Sequence, residues 1–206
     1  MPPPPQAPPR QEPALLASVI TVLAAGITVT GITSALSGSL RAAGVGHRAL
    51  TAVASLMLSW PGDVLEGTGP AARWAVRTNA LRRAQFFMSA CKRVQAAVVA
   101  ARSRSDPVRE AVSMAVATER GYLAQQAAMN HQRVAAATRT DGAAGEHGNL
   151  LGWNAVRDAR CTPECRAAGG KNFRADRPPL IGYPGASHPG CRCYPSKPFT
   201  DAPVLP

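Results

Sequence analysis

The sequence predicts an α+β protein, with a mostly helical N-terminal and central part built on a long helical hairpin and a small C-terminal module of short strands rich in cysteine and histidine. Three observations point there. Hydrophobic residues make up 46% of the 206 but aromatics only 5%, so alanine supplies much of the apolar count and helices of small residues are favoured. Two long stretches in the middle of the chain carry apolar residues at helical spacing and are separated by SRSD. Four of the five cysteines fall in one window, from CTPEC at 161–165 to SHPGCRC at 187–193.

The first stretch, MPPPPQAPPRQEP at 1–13, reads as an extended proline-rich arm, because proline lacks the N–H and fixes its own φ. Residues 14–70 follow as an apolar helical segment and loop. No charge occurs from Ala14 to Leu40, and ALLASVITVLAAGITVTGI admits two readings. One is a buried or partner-packed helix, with burial against a partner subunit the favoured form. The other is a membrane span over 14–34, with the basic region on the cytoplasmic side. A shorter helix is expected around HRALTAVASLML, and the glycines and prolines after it predict a loop.

Residues 71–140 are expected to form the hairpin. In its first helix, Val76, Ala80, Ala84, Phe87, Cys91, Val94, Val98 and Ala101 gather on one side at 100° per residue. Arg82, Gln85, Ser89, Lys92, Arg93, Ser103 and Arg104 gather on the other. Asp106 reads as an N-cap with Pro107 at the first helical position, opening a second helix expected to stop before Asp141-Gly142. Cys91 falls on the apolar face and reads as core. Glu119 reads as a solvated helix charge or a partner to Arg120 or a neighbouring strand.

Charge is unevenly spread. The net value is +11, and residues 41–140 hold 14 Lys+Arg against 5 Asp+Glu. A polyanionic neighbour is expected, and Arg82, Lys92, Arg93 and Arg104 are the candidates for sequence-independent contact with duplex DNA phosphates.

Residues 141–198 form the small module and 199–206 a tail. LLGWNAVRD reads as a short strand, CRAAGG as a turn of helix closed by glycines, and NF and CRCY as further short strands. A module of this size needs a staple. Cys161, Cys165, His188, Cys191 and Cys193 offer five candidates for the four positions around zinc; disulfides and free thiols are the alternatives. The four cysteines are the first choice of ligands. His188 is the expected spectator, serving as alternative fourth ligand or as a donor that orients a thiolate. Enzymatic readings are not favoured: Ser187 and His188 are adjacent, so their side chains diverge, and neither has a base in the sequence.

The segments TERGYLAQQAAMNHQRVAAA, LLGWNAVRDARCTPECRAAGGKNF and PPLIGYPGASHPGCRCYP resemble the C-terminal domain of the phage Mu F-like minor head proteins. There an R/T-E helix precedes a W-x-x-x-x-D strand, a cysteine pair, a G-K-x-F turn and a closing H-P-x-C-R-C. Here the pair is C-T-P-E-C, one residue wider than the usual C-P-x-C, and Gly169 precedes Gly170-Lys171 in place of an acidic residue. The resemblance implies a structural, non-enzymatic minor capsid protein of tailed-phage head morphogenesis. It would be assembled in the host cytoplasm and located in the virion at the portal or inner capsid, with portal or major capsid protein and packaged DNA as partners. The second function class is a small membrane-associated protein using residues 14–34.

Overall fold

Pro13 lies in the first turn of helix α1, Gln11–Ala24, where the N–H it lacks has no intrahelical partner to lose. The computed structural model describes residues 11–24, 28–58, 60 and 68–206. The expected proline-rich arm therefore lies outside the described residues up to position 10, and its last three residues belong to α1. Part of the expected loop, 61–67, is likewise outside them.

The uncharged stretch is not one helix. α1 ends at Ala24, and α2 spans Val29–Ala42 after Thr28, whose side chain accepts from the Gly31 N–H at 3.3 Å. Fourteen residues rise only about 21 Å, short of a ~30 Å hydrocarbon core. Among the described residues no helix is long and apolar enough to cross a membrane, which corrects the reading of 14–34 as a span. Val19, Leu23, Ile32, Leu36 and Leu40 are buried within this chain's own core, as the buried-helix reading expects. The hydroxyls that interrupt the stretch are satisfied locally: Ser18 donates to Ala14 O and Thr21 to Ala17 O, each at 3.1 Å.

α3, His47–Met57, is the short helix expected there. α4 spans Pro70–Ser103 and α5 Val108–His147. The turn between them passes through Ser105 at φ 59. Asp106 does not cap α5 in the expected way. Its carboxylate accepts from Arg104 Nε at 2.7 Å, and Pro107 O takes the first helical N–H groups, from Glu110 and Ala111.

α5 also runs past Asp141-Gly142, where a stop was expected. Asp141 does not turn the chain; it accepts from Ala71 N at 3.0 Å and Ala72 N at 2.9 Å, capping the positive end of α4. The helix ends instead at Gly148, whose φ of +82 a side chain would resist and whose N–H reaches Ala144 O at 2.9 Å.

The chain resolves into two compact units that cut the hairpin across its length. The first comprises residues 1–60 and 80–124, the second 61–79 and 125–206. The core of the first gathers α1, α2 and α3 with Phe87, Cys91, Val94 and Leu123. Most of the predicted apolar stripe of α4 is buried, but Val76 stands 48% exposed. In that stretch the buried positions are Ala71, Ala72, Ala75 and Asn79, a stripe of their own within the second unit.

The second unit holds a three-stranded antiparallel sheet in the order β2-β1-β3, with β1 Leu150–Asn154, β2 Asn172–Arg174 and β3 Tyr194–Ser196. Leu151 pairs with Phe173, and Trp153 with Pro195. Leu151, Trp153, Phe173 and Tyr183 form its aromatic and aliphatic centre, and Tyr183 OH donates to Ala175 O at 2.5 Å. The C-terminal tail is part of this unit. Asn172 donates its backbone N–H to Pro203 O, accepts from Leu205 N, and fixes Phe199 and Ala202 through its side-chain amide.

Candidate metal centre

Thr162 opens α6, Pro163–Ala168, with its side chain accepting from the Cys165 N–H and Pro163 at the first helical position. This short helix presents Cys165 to the interior, where it is fully buried. The other half of the centre comes from the closing loop, Ser187–Cys193. Gly185 turns the chain into it at φ +90, and a Cβ there would meet Arg139 Nη2 at 2.6 Å and Cys193 O at 3.1 Å.

Gln132 on α5 fixes that loop. Its Nε2 donates to Gly185 O and His188 O, both at 2.8 Å, and its Oε1 accepts from Gly190 N at 3.0 Å. Asp158, just after β1, forms an ion pair with Arg192 in the same loop and accepts from Arg160 N at 2.9 Å. The loop carrying His188 and Cys191 is thus tied to α5 on one side and to the end of β1 on the other.

Donor atoms of Cys165, His188 and Cys191 all lie within 4.8 Å of one another. The Cys165 and Cys191 sulfurs are 3.8 Å apart. Two thiolates each about 2.3 Å from a tetrahedral ion stand about 3.8 Å apart, so the pair already has that spacing. His188 Nδ1 lies 3.0 Å from Pro189 O. A carbonyl only accepts, so Nδ1 carries the proton and Nε2 the lone pair. Nε2 is buried and has no hydrogen-bond partner.

Electrostatics divide the sulfurs. Burial pushes the Cys165 thiol up, and the charge of Cys191 adds to that. Burial also pushes Cys191 up, but backbone N–H groups of Cys193 and Gly185 and the thiols of Cys193 and Cys165 outweigh it, so Cys191 lies below the ordinary thiol range. Cys193 is pushed up to about 12 by burial and by the charges of Cys191 and Cys165. Cys191 is thus held below the ordinary thiol range while Cys165 and Cys193 are pushed above it, a balance that a divalent cation would change by stabilising every sulfur it binds as thiolate.

The structure brings Cys165, Cys191 and His188 together, with Cys193 buried beside them. Cys161 is partly exposed, and its Sγ faces Thr162 O at 3.7 Å. The expected spectator, His188, stands inside the cluster, and of the four first choices Cys161 and Cys193 stand outside it, Cys193 buried and Cys161 partly exposed. Gln132 was missed. It sits in the quoted NHQRV segment, but an amide that braces a distant loop leaves no periodic or spacing signal. Asp158 and Arg192 did leave one, as opposite charges at fixed places in two motif elements.

The basic candidates belong to the first unit. Arg82 and Lys92 are exposed. Arg93 instead donates Nε and Nη2 to the two Glu119 oxygens at 2.6 and 2.7 Å, and lies 5.5 Å from the Tyr122 ring centre. Arg104 pairs with Asp106. Glu119 is only 2% exposed, which corrects its reading as a solvated charge; its partner is Arg93, not Arg120. Cys91 is fully buried core, its thiol pushed up to about 12 by burial and by Glu119.

Neither a curated protein nor a solved structure matches the chain. A family model described as Phage Mu protein F like protein matches residues 78–195, which include Glu119, Trp153, Asp158 and the whole cysteine window. That match spans more than half of the chain, and the protein belongs to the Phage Mu protein F like family of phage head morphogenesis proteins.

Proposed function

We propose that this chain is a structural minor head protein, placed at the portal or the inner capsid face of the virion beside packaged duplex DNA, with its C-terminal module stapled by zinc. One observation carries the structural reading. The residues that mark the family elements in this sequence are engaged with one another: Glu119 with Arg93, Asp158 with Arg192, and Cys165 with Cys191 and His188. Carboxylates and thiols held this way brace a fold, whereas a catalytic group needs a face open to substrate.

Proximity to DNA is supported by the disposition of charge. Glu119, Asp106, Asp158 and Asp176 are neutralised by arginines, and Asp141 by a helix end, while Arg82 and Lys92 on α4 project outward. The excess of +11 is thus left to exposed cations, which suits sequence-independent contact with phosphates. Zinc suits the donor set of sulfur and imidazole, and the reducing cytoplasm in which heads assemble keeps thiols available.

Deleting the gene from the phage and supplying the chain from a plasmid tests the role. Without the chain the yield of DNA-filled, infectious heads should collapse, and the plasmid copy should restore it. Heads that fill and infect at the parental yield without it would overturn the proposal.

A further inference from the structure

We infer that the module binds one zinc ion through Cys165, His188 Nε2, Cys191 and Cys193, and that Cys161 takes no part. This rests on the zinc reading above and changes its content, from a clamp of two cysteine pairs to three sulfurs and one imidazole.

Three of the four donors are fixed by geometry. Cys165 and Cys191 already have the separation of neighbouring ligands on a tetrahedral ion, and the His188 donor lies within 4.8 Å of both. The imidazole is also in the right form. Its Nδ1–H is engaged by Pro189 O, the outer hydrogen bond that metal-binding histidines use, and this leaves Nε2 as a buried acceptor with nothing to accept. A buried polar atom without a partner costs free energy, and a cation between Nε2 and the two sulfurs removes that cost.

The fourth position falls to Cys193 rather than Cys161. Cys193 is 3% exposed and follows Cys191 by two residues; its sulfur lies outside the 4.8 Å group of Cys165, His188 and Cys191, but near enough for the charges of Cys191 and Cys165 to act on it. The backbone N–H of Val156 faces it, as outer donors do for a ligating thiolate. Cys161 lies on the approach to α6, partly exposed, with its sulfur turned to the Thr162 carbonyl. Only Cys165 comes from α6. One ion would therefore join this helix to the closing loop and β3, elements that the sequence separates by 22 residues between Cys165 and His188. Sulfur and nitrogen donors in tetrahedral array select zinc over magnesium, calcium or manganese.

The full-length chain, purified without added metal, should carry about one zinc by elemental analysis. X-ray absorption at the zinc edge should show three sulfur neighbours and one nitrogen. Cys161→Ser should keep the ion, and Cys193→Ser and His188→Ala should each weaken it at least tenfold in competition with a chelator. A shell of four sulfurs, or zinc lost from Cys161→Ser and kept by Cys193→Ser, overturns this ligand set, as does a wild-type chain without metal. The zinc-edge spectrum needs no variant, so a variant that fails to fold leaves the test intact. A metal-free chain would leave the head role standing, since the gene deletion tests that separately.

Discussion

Glu119 is a buried carboxylate in the first unit, held by one arginine. A carboxylate 2% exposed is costly unless it is paired, and Arg93 supplies a two-point contact with both oxygens. Arg93 keeps about half of its side chain in solvent, which screens the pair. The expected cost of Glu119→Gln is about 2 kcal/mol, between the ~1 kcal/mol of an exposed pair and the 3 kcal/mol or more of a fully buried one. Arg93→Lys should lose part of the same stability, because an ammonium cannot span both oxygens. Urea unfolding checks both, and an unchanged midpoint in Glu119→Gln would contradict the pairing. Gln132 holds the second unit in a comparable way. Gln132→Ala removes three hydrogen bonds from the loop of His188 and Cys191 and should loosen zinc at least tenfold without removing a ligand. Thiol and imidazole chemistry made the window 161–193 legible in the sequence, since few residue types bind metal. The choice among five donors was not legible, because it depends on which way α6 and the closing loop turn each side chain.

The long helices were legible because a 3.6-residue period survives in the sequence wherever one face is buried throughout. Their ends were less so. The extension of α5 to His147 depends on Asp141 reaching Ala71 and Ala72, a contact 70 residues away that a local stop signal imitates. Val76 shows the same limit, since the buried stripe of α4 differs between the two units through which it passes. α4 also carries the clearest prediction about DNA. Only Arg82 and Lys92 of the four basic candidates are free of an acidic partner among the described residues. Changing both to Gln should weaken duplex binding across all sequences and flatten the slope of log affinity against log salt by about 1 to 2. Arg104→Gln should do much less. Fluorescence anisotropy at several salt concentrations separates these outcomes, and an unchanged slope in the double variant would place the contact elsewhere.

Across the chain, the two-part composition of helices and a small β module was legible, because apolar periodicity and turn residues change character near Gly148. The division into units was not, since each unit draws on both helices of the hairpin and one is completed by the last residues of the chain. The apolar stretch after the arm left two readings open for a physical reason: a run without charge looks alike whether lipid or a protein core covers it. Here α1 and α2 place their apolar residues in the core of the first unit. The family match makes this chain a phage head morphogenesis protein, and the mutually engaged motif residues and the outward basic charge support the proposal that it is built into the head. Cross-linking mass spectrometry on purified, DNA-filled heads tests that most directly. This chain is expected among the head proteins, cross-linked to the portal or to inner-face segments of the major capsid protein. Its absence from washed heads, or cross-links confined to the outer capsid surface, would contradict it.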